Sequence, residues 1–386
     1  MQNKPQSQSM NTAGILPTES SVKISYFQLA ALLSVSAIFA MTSSIPFTVS
    51  HSMERFVTLG VSAGIMILLY TPLMVFTAKR NTGLLRINNS FLKWFFGSVI
   101  LIRLMYTSVL TAVQMNIFII NTVMTYLSAP LFIFIVFVTA LYGANKGIQA
   151  AARAAPVSLF LYIFIIITVS ILMWNKTEII RIYSPFYGEN GVYNGFTEAI
   201  RNDELFFFAV LSGFIRDKES KGQGFKSVLY YLPFLLITGL WLNFLYNVIF
   251  GRALKMILYP LHGISVFSSL SLIERMDGLF VTSEVIGGII KLVLAFICMR
   301  VVIAELISPK AVPPEQIHQR KAKIITSVLL AGVAGLTYFI IGHIEQSLVK
   351  WSNWHNWLNL IFAVTIVITA LVLPVTVLIL SRNKTK

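Results

Sequence analysis

The sequence predicts an all-α integral membrane protein of about ten transmembrane helices, built as two five-helix halves of inverted orientation whose first members, helices 1 and 6, are interrupted. Three observations predict it: a composition unsuited to water, apolar runs whose flanking basic residues alternate in number, and polar breaks in two runs that lie five apart.

Hydrophobic residues fill 56% of the 386 positions and charged residues only 12%, where a soluble domain carries about a quarter charged. Mean hydropathy is +0.77. So much apolar surface belongs in a bilayer. The net charge of +15 raises nucleic acid as a partner. The basic residues, however, sit in short loops between apolar runs and form no patch or stripe, which excludes it. The single cysteine, Cys298, lies in an apolar run. It excludes an intrachain disulfide and a cysteine-rich metal site, and reads as a small buried hydrophobe.

Residues 1–24 are polar, lack the apolar core of a signal peptide, and read as a disordered cytoplasmic tail. Residues 25–381 form one transmembrane domain, with a first repeat over about 25–175 and a second over about 195–381; residues 382–386 are a second cytoplasmic tail. A helix needs about 20 apolar residues to cross a bilayer. Candidate spans lie near 26–49, 55–78, 94–119, 126–143, 154–174, 196–215, 228–249, 278–306, 323–343 and 357–380. The segment 251–276 is amphipathic and reads as a surface or partly inserted helix. With the N-terminus in the cytoplasm, nineteen of the 30 basic residues fall on inner segments and seven on outer ones, the other four being Arg103, Arg201, Lys291 and Arg300 within spans. Cytoplasmic loops are enriched in Lys and Arg, so both termini are expected inside.

Chemistry-bearing motifs are few. No Walker loop, dinucleotide fingerprint, His-Glu-x-x-His or Gly-x-Ser-x-Gly occurs. A Ser-x-x-Lys at Ser90 and Lys93 is a spacing common by chance, and the five histidines are scattered. No enzyme, metal or cofactor is expected.

The first span ends in "AMTSSIPF", where Thr42, Ser43 and Ser44 precede Pro46. Pro46 removes a backbone donor and disfavours helix at Ile45, so this is either a break or a simple proline kink. The sixth span carries "AIRNDELFFF". Either Arg201, Asn202, Asp203 and Glu204 interrupt a helix, or a helix begins at Asn202 or Asp203 with acidic residues in its first turn. Five helices reverse the sense of the chain, so these are corresponding members of inverted halves. Transporters built that way hold substrate between such broken helices.

Span eight contains Glu284 and Lys291, seven apart and on one face, too distant for a direct pair. Intramembrane charges turn to the bundle interior. Arg103, Tyr106 and Thr107 give span three a polar face, and Gly60 and Gly64 form a GxxxG that favours close helix contact.

Three stretches carry a resemblance: "KISYFQLAALL" (23–33), "LYGANKGIQAAARAAPV" (141–157) and "SLIERMDGLFVTSEVIGGIIKL" (271–292). In order and spacing the chain resembles the spore germination receptor B subunits, endospore germination permeases of the amino acid–polyamine–organocation superfamily. The resemblance implies a LeuT-type fold and the sensing of a small, amino-acid-like germinant in the inner membrane of a spore. It also implies two partners, an A-type membrane subunit and a C-type lipoprotein. Glu204, Arg153 and Lys291 match family positions. The chain departs from the family where it has "AMTSS" in place of a glycine break, and where it has Glu284 in place of an aromatic or apolar residue.

The expected site follows. Thr42, Ser43 and Ser44 offer hydroxyls and backbone N–H groups to a ligand carboxylate. Glu204, with Asp203 or Asn202, faces its ammonium or a proton, and Tyr106 closes the cavity. Arg153, Glu284 and Lys291 are buried coupling charges. Lys291 is either a fixed internal cation where related transporters bind sodium, or a structural partner for Glu284 or a neighbouring span. Alternatives to a receptor subunit are a proton-coupled amino-acid permease and a ligand-gated ion or water path.

Overall fold

The computed structural model describes residues 24–43, 52–79, 89–123, 128–177, 191–215, 223–268, 276–307, 320–344 and 363–376. Its helices are α1 (Tyr26–Ser43), α2 (Ser52–Lys79), α3 (Ser90–Thr122), α4 (Ala129–Lys146), α5 (Ile148–Met173), α6 (Gly191–Ile200), α7 (Glu204–Leu211), α8 (Gln223–Phe250), α9 (Pro260–Phe267), α10 (Asp277–Ile307), α11 (Arg320–Ile344) and α12 (Ala363–Thr376). Each predicted span coincides with one of these except the sixth, which is α6 and α7 end to end. Among the described residues seven helices are long and apolar enough to cross a membrane, and α4 and α12 are shorter apolar helices. The amphipathic segment becomes a 3-10 turn, Gly251–Met256, followed by α9, whose Leu261 and Ile264 are buried.

Helices dominate because a backbone in lipid must satisfy its own hydrogen bonds. Their outer faces stay apolar: Leu68, Phe134, Phe160, Ile171 and Val328 are all exposed and suit lipid contact. The centre of the bundle is α10, which packs against α1, α3, α4, α5 and α11. With 89% of its apolar window buried, any charge on it must find a partner inside the protein.

Small residues let the neighbours of α10 approach. A Cβ on Gly287 would run into the Tyr162 hydroxyl of α5, and one on Gly288 into Met115 of α3. Tyr162 is 1% exposed and cannot swing away. Gly287→Ala is therefore expected to cost about 1–3 kcal/mol by overpacking. Gly332→Ala on α11, where an added methyl meets none of the described residues, should be neutral or up to about 1 kcal/mol stabilising. Unfolding by denaturant titration in micelles measures both. Among the described residues the GxxxG of α2 does not serve this purpose: a Cβ on Gly60 or Gly64 would meet none of their atoms. The close contact of α2 is with α6, where a Cβ on Gly195 would meet the Thr58 carbonyl at 2.7 Å.

The turn in "LYGANKGIQ" joins α4 to α5. Gly147 has φ of 86°, a left-handed conformation that favours glycine. Arg300 donates to the Ala144 carbonyl (3.2 Å) and Asn145 Oδ1 (2.7 Å), and so caps the end of α4.

A short parallel bridge fixes the depth of the site. Ile24, just before α1, pairs with Ile215, just after the sixth span; the Ile24 amide donates to the Phe214 carbonyl at 3.0 Å. From that common end α1 runs away and α7 runs toward it. Ser36 lies twelve residues from Ile24, and Glu204 eleven from Ile215, so the two reach the same level. At a rise of 1.5 Å per residue this is about 17 Å, near the middle of a hydrocarbon core of about 30 Å.

Candidate functional site

The sixth span is interrupted. Residues Arg201 to Asp203 leave the helix between α6 and α7, with helix on both sides. Of the two sequence readings the break is correct. The acids of "RNDE" therefore lie deep in the bundle. α7 itself, "ELFFFAVL", is buried along its whole length.

The break is held by four charges that cancel. Arg103 of α3 donates to Asp203 Oδ1 twice, from Nε at 3.0 Å and from a terminal nitrogen at 2.7 Å. Lys291 of α10 places Nζ 3.6 Å from Asp203 Oδ2 and 3.4 Å from Glu204 Oε1. Ser36 of α1 donates to Glu204 Oε1 at 2.7 Å. All four charged residues are at most 3% exposed. Isolated, each would be prohibitive at that depth; as two cations and two anions in contact they are tolerated. Arg103 also lies over the rings of Tyr106 and Phe206, 5.5 and 5.6 Å from their centroids.

Asn202 satisfies the loosened backbone. Its Oδ1 accepts from the Leu205 amide at 3.2 Å and from the Tyr70 hydroxyl at 3.1 Å. Its Nδ2 donates to the Tyr231 hydroxyl at 3.1 Å and approaches the Met66 sulfur at 3.3 Å. Asn202, not Asp203, thus caps α7, because the Asp203 carboxylate is committed to Arg103 and Lys291.

A second polar group lies farther from the Ile24–Ile215 end. Glu284 is fully buried and accepts from the Thr42 hydroxyl of α1. The Tyr162 hydroxyl approaches the same carboxylate without completing a hydrogen bond. Glu284 Oε2 has no partner among the described residues.

The other expected site residues divide. The Thr42 hydroxyl reaches its own helix, at the Ile38 carbonyl, as well as Glu284. The Ser43 hydroxyl is spent on the Phe39 carbonyl of its own helix. α1 is helical through Thr42 and Ser43, so their amides are not freed for a ligand; Ser44 and Pro46 lie outside the described residues. Tyr106 is half-buried beneath Arg103 and serves to hold that guanidinium. Arg153 is a correction: it is exposed, not buried. It sits in the second turn of α5, where a long side chain can lie along the surface with its head in water. Lys291 and Glu284 do not serve one another, since Lys291 turns to Asp203 and Glu204 of the neighbouring span.

Sequence reasoning missed Ser36, Tyr70, Tyr231 and Tyr162 as members of the polar interior, and left Arg103 outside the expected site. Arg103 carried a signal, a lone cation in the middle of an apolar span. The tyrosines and Ser36 carried none, because such residues are ordinary in membrane helices.

Solved structures match the chain. One is the substrate-bound, outward-open state of a Na+-coupled sialic acid symporter. It has a TM-score of 0.63 and 9% identity, and the match covers 92% of this chain and 80% of that one. No protein-family model and no curated protein matches the sequence. At that identity the likeness is one of fold. The chain is an all-α, multi-pass membrane protein with the LeuT-type fold, and its sixth span is broken at a buried, self-compensating charge cluster.

Proposed function

We propose that this chain senses a small amino-acid-like solute from within the membrane, as the germinant-sensing B-type subunit of a spore germination receptor. Its place is the spore inner membrane with both termini cytoplasmic, and its partners are an A-type membrane subunit and a C-type lipoprotein. The observation that carries the reading is the broken sixth span, whose charges are held by α1, α3 and α10 together. The motif run 271–292 supports the receptor part, since its helical half brings Lys291 to that break.

The arrangement suits a two-state device. A zwitterion entering between α1 and α7 competes with the Ser36–Glu204 and Lys291–Glu204 contacts. Loosening them frees α7 to shift against α1, and the Ile24–Ile215 bridge carries that shift to the end of the bundle. There a partner subunit reads it.

A proton-coupled amino-acid permease is the second reading, favoured by the fold likeness to a symporter. In both readings Lys291 is a built-in cation beside the two acids, so sodium is not required. Purified protein in lipid vesicles separates the two. Saturable binding of labelled amino acids without uptake is the expected result, unchanged when Na+ is replaced by N-methylglucamine. Uptake that follows a proton gradient and is lost in Glu204→Gln would instead establish the permease.

A further inference from the structure

We infer that Glu284 forms a second ligand subsite, one that takes the primary ammonium group of a small amine or amino acid. The inference rests on the reading just given and moves the ligand's cationic end away from Glu204.

The first argument is charge accounting. Asp203 has Arg103 and Lys291 within contact, and Glu204 has Lys291. An incoming ammonium gains little from acids already neutralised. Glu284 is the buried acid with no cation in contact among the described residues, and one of its oxygens is unpartnered. A carboxylate fully withdrawn from water without a counter-charge is expensive, and an organic cation relieves that cost.

The second argument is the lining. Thr42 holds one carboxylate oxygen of Glu284. Tyr162, 1% exposed, and Tyr259, 5% exposed, both have hydroxyls without a partner among the described residues. Tyr162, Tyr259 and Tyr246 all lie near the Glu284 carboxyl group. A carboxylate, free hydroxyl acceptors and tyrosine rings are what an alkylammonium uses: an ion pair, hydrogen bonds and cation–π contact. The same lining is poor for Na+, which needs a shell of oxygens. α10 is unbroken helix at this level, so its carbonyls stay in the helical ladder.

The third argument is position. Thr42 is six residues beyond Ser36 on α1, about 9 Å along the helix and away from the Ile24–Ile215 end. Glu284 thus lies beyond the level of Glu204, on the side of the break away from that bridge.

The test uses the full chain in lipid nanodiscs and isothermal titration with n-butylammonium, n-butyrate and n-butanol. Wild type should bind n-butylammonium and neither control. Glu284→Gln, which keeps shape and removes charge, should weaken that binding at least about tenfold, and Tyr162→Phe about threefold. Thr42→Val serves if Glu284→Gln does not fold, with an expected weakening of several-fold. Affinity unchanged in these folded variants overturns the subsite. So does a sodium titration signal that disappears in Glu284→Gln, which would give the group to a metal ion. Labelled amino acids run in parallel separate the two claims. If they bind wild type and Glu284→Gln alike, the sensing reading stands and the subsite falls. If neither amino acids nor n-butylammonium bind, both fall.

Discussion

Arg103→Met should destabilise the folded protein by about 3–5 kcal/mol, the usual cost of removing one partner from a buried ion pair. Arg103 is 1% exposed and makes both short contacts to Asp203 Oδ1. Without it Asp203 keeps only Lys291, at 3.6 Å and shared with Glu204, so one buried negative charge is left over. The double variant Arg103→Met, Asp203→Leu removes a cation and an anion together. It leaves Lys291 facing Glu204 alone, and should recover most of the loss. Unfolding free energies from denaturant titration in micelles, read as a double-mutant cycle, check this. A coupling below about 1 kcal/mol between the two positions would mean that the pair does not hold the break. The stability effect has a functional counterpart, because Asp203 is the residue through which α3 holds the interrupted span.

Asn202→Leu has the second largest expected effect, about 3–4 kcal/mol, with the branching of the side chain kept. The substitution takes the Asn202 partner from the Tyr70 hydroxyl, the Tyr231 hydroxyl and the Leu205 amide, leaving the two hydroxyls only one another. Both tyrosines are fully buried, and each stranded polar group costs about 1–3 kcal/mol, less than additively because they share one site. The triple variant Asn202→Leu, Tyr70→Phe, Tyr231→Phe removes the stranded hydroxyls and should regain all but the cap of α7, about 1 kcal/mol. The same titration reads it. If the triple variant is no more stable than Asn202→Leu, the hydroxyls are not what Asn202 satisfies.

These effects also mark where sequence reading ran out. The Arg201-to-Glu204 cluster was visible as an anomaly, since four consecutive polar positions abut "LFFFAVL". A cap at the start of a helix and a break within one both place acids before an apolar run, and the break is preferred from sequence only because spans one and six correspond in inverted halves. Nothing local separates them. The decision comes from α6, which lies on the other side of the cluster and is held by the contact of Gly195 with α2. Arg153 went the other way. Its family match suggested a buried charge, yet its place near the start of α5 leaves it exposed.

By itself the sequence determined the number and location of the spans, the bilayer as solvent, and the fold class. Each span is a self-contained signal: about 20 apolar residues suffice to make a membrane helix, whatever the rest of the chain does. Only the tertiary structure decided which charges meet. Lys291 and Glu204 are 87 positions apart, Arg103 and Asp203 100, and Ser36 and Glu204 168. Helices that are apolar nearly all round say little about which face turns inward or at what depth a neighbour crosses. Those two quantities, set by the Ile24–Ile215 bridge and by the glycines that let α3 and α5 close on α10, bring two cations and two anions to one point and leave Glu284 without a counter-charge.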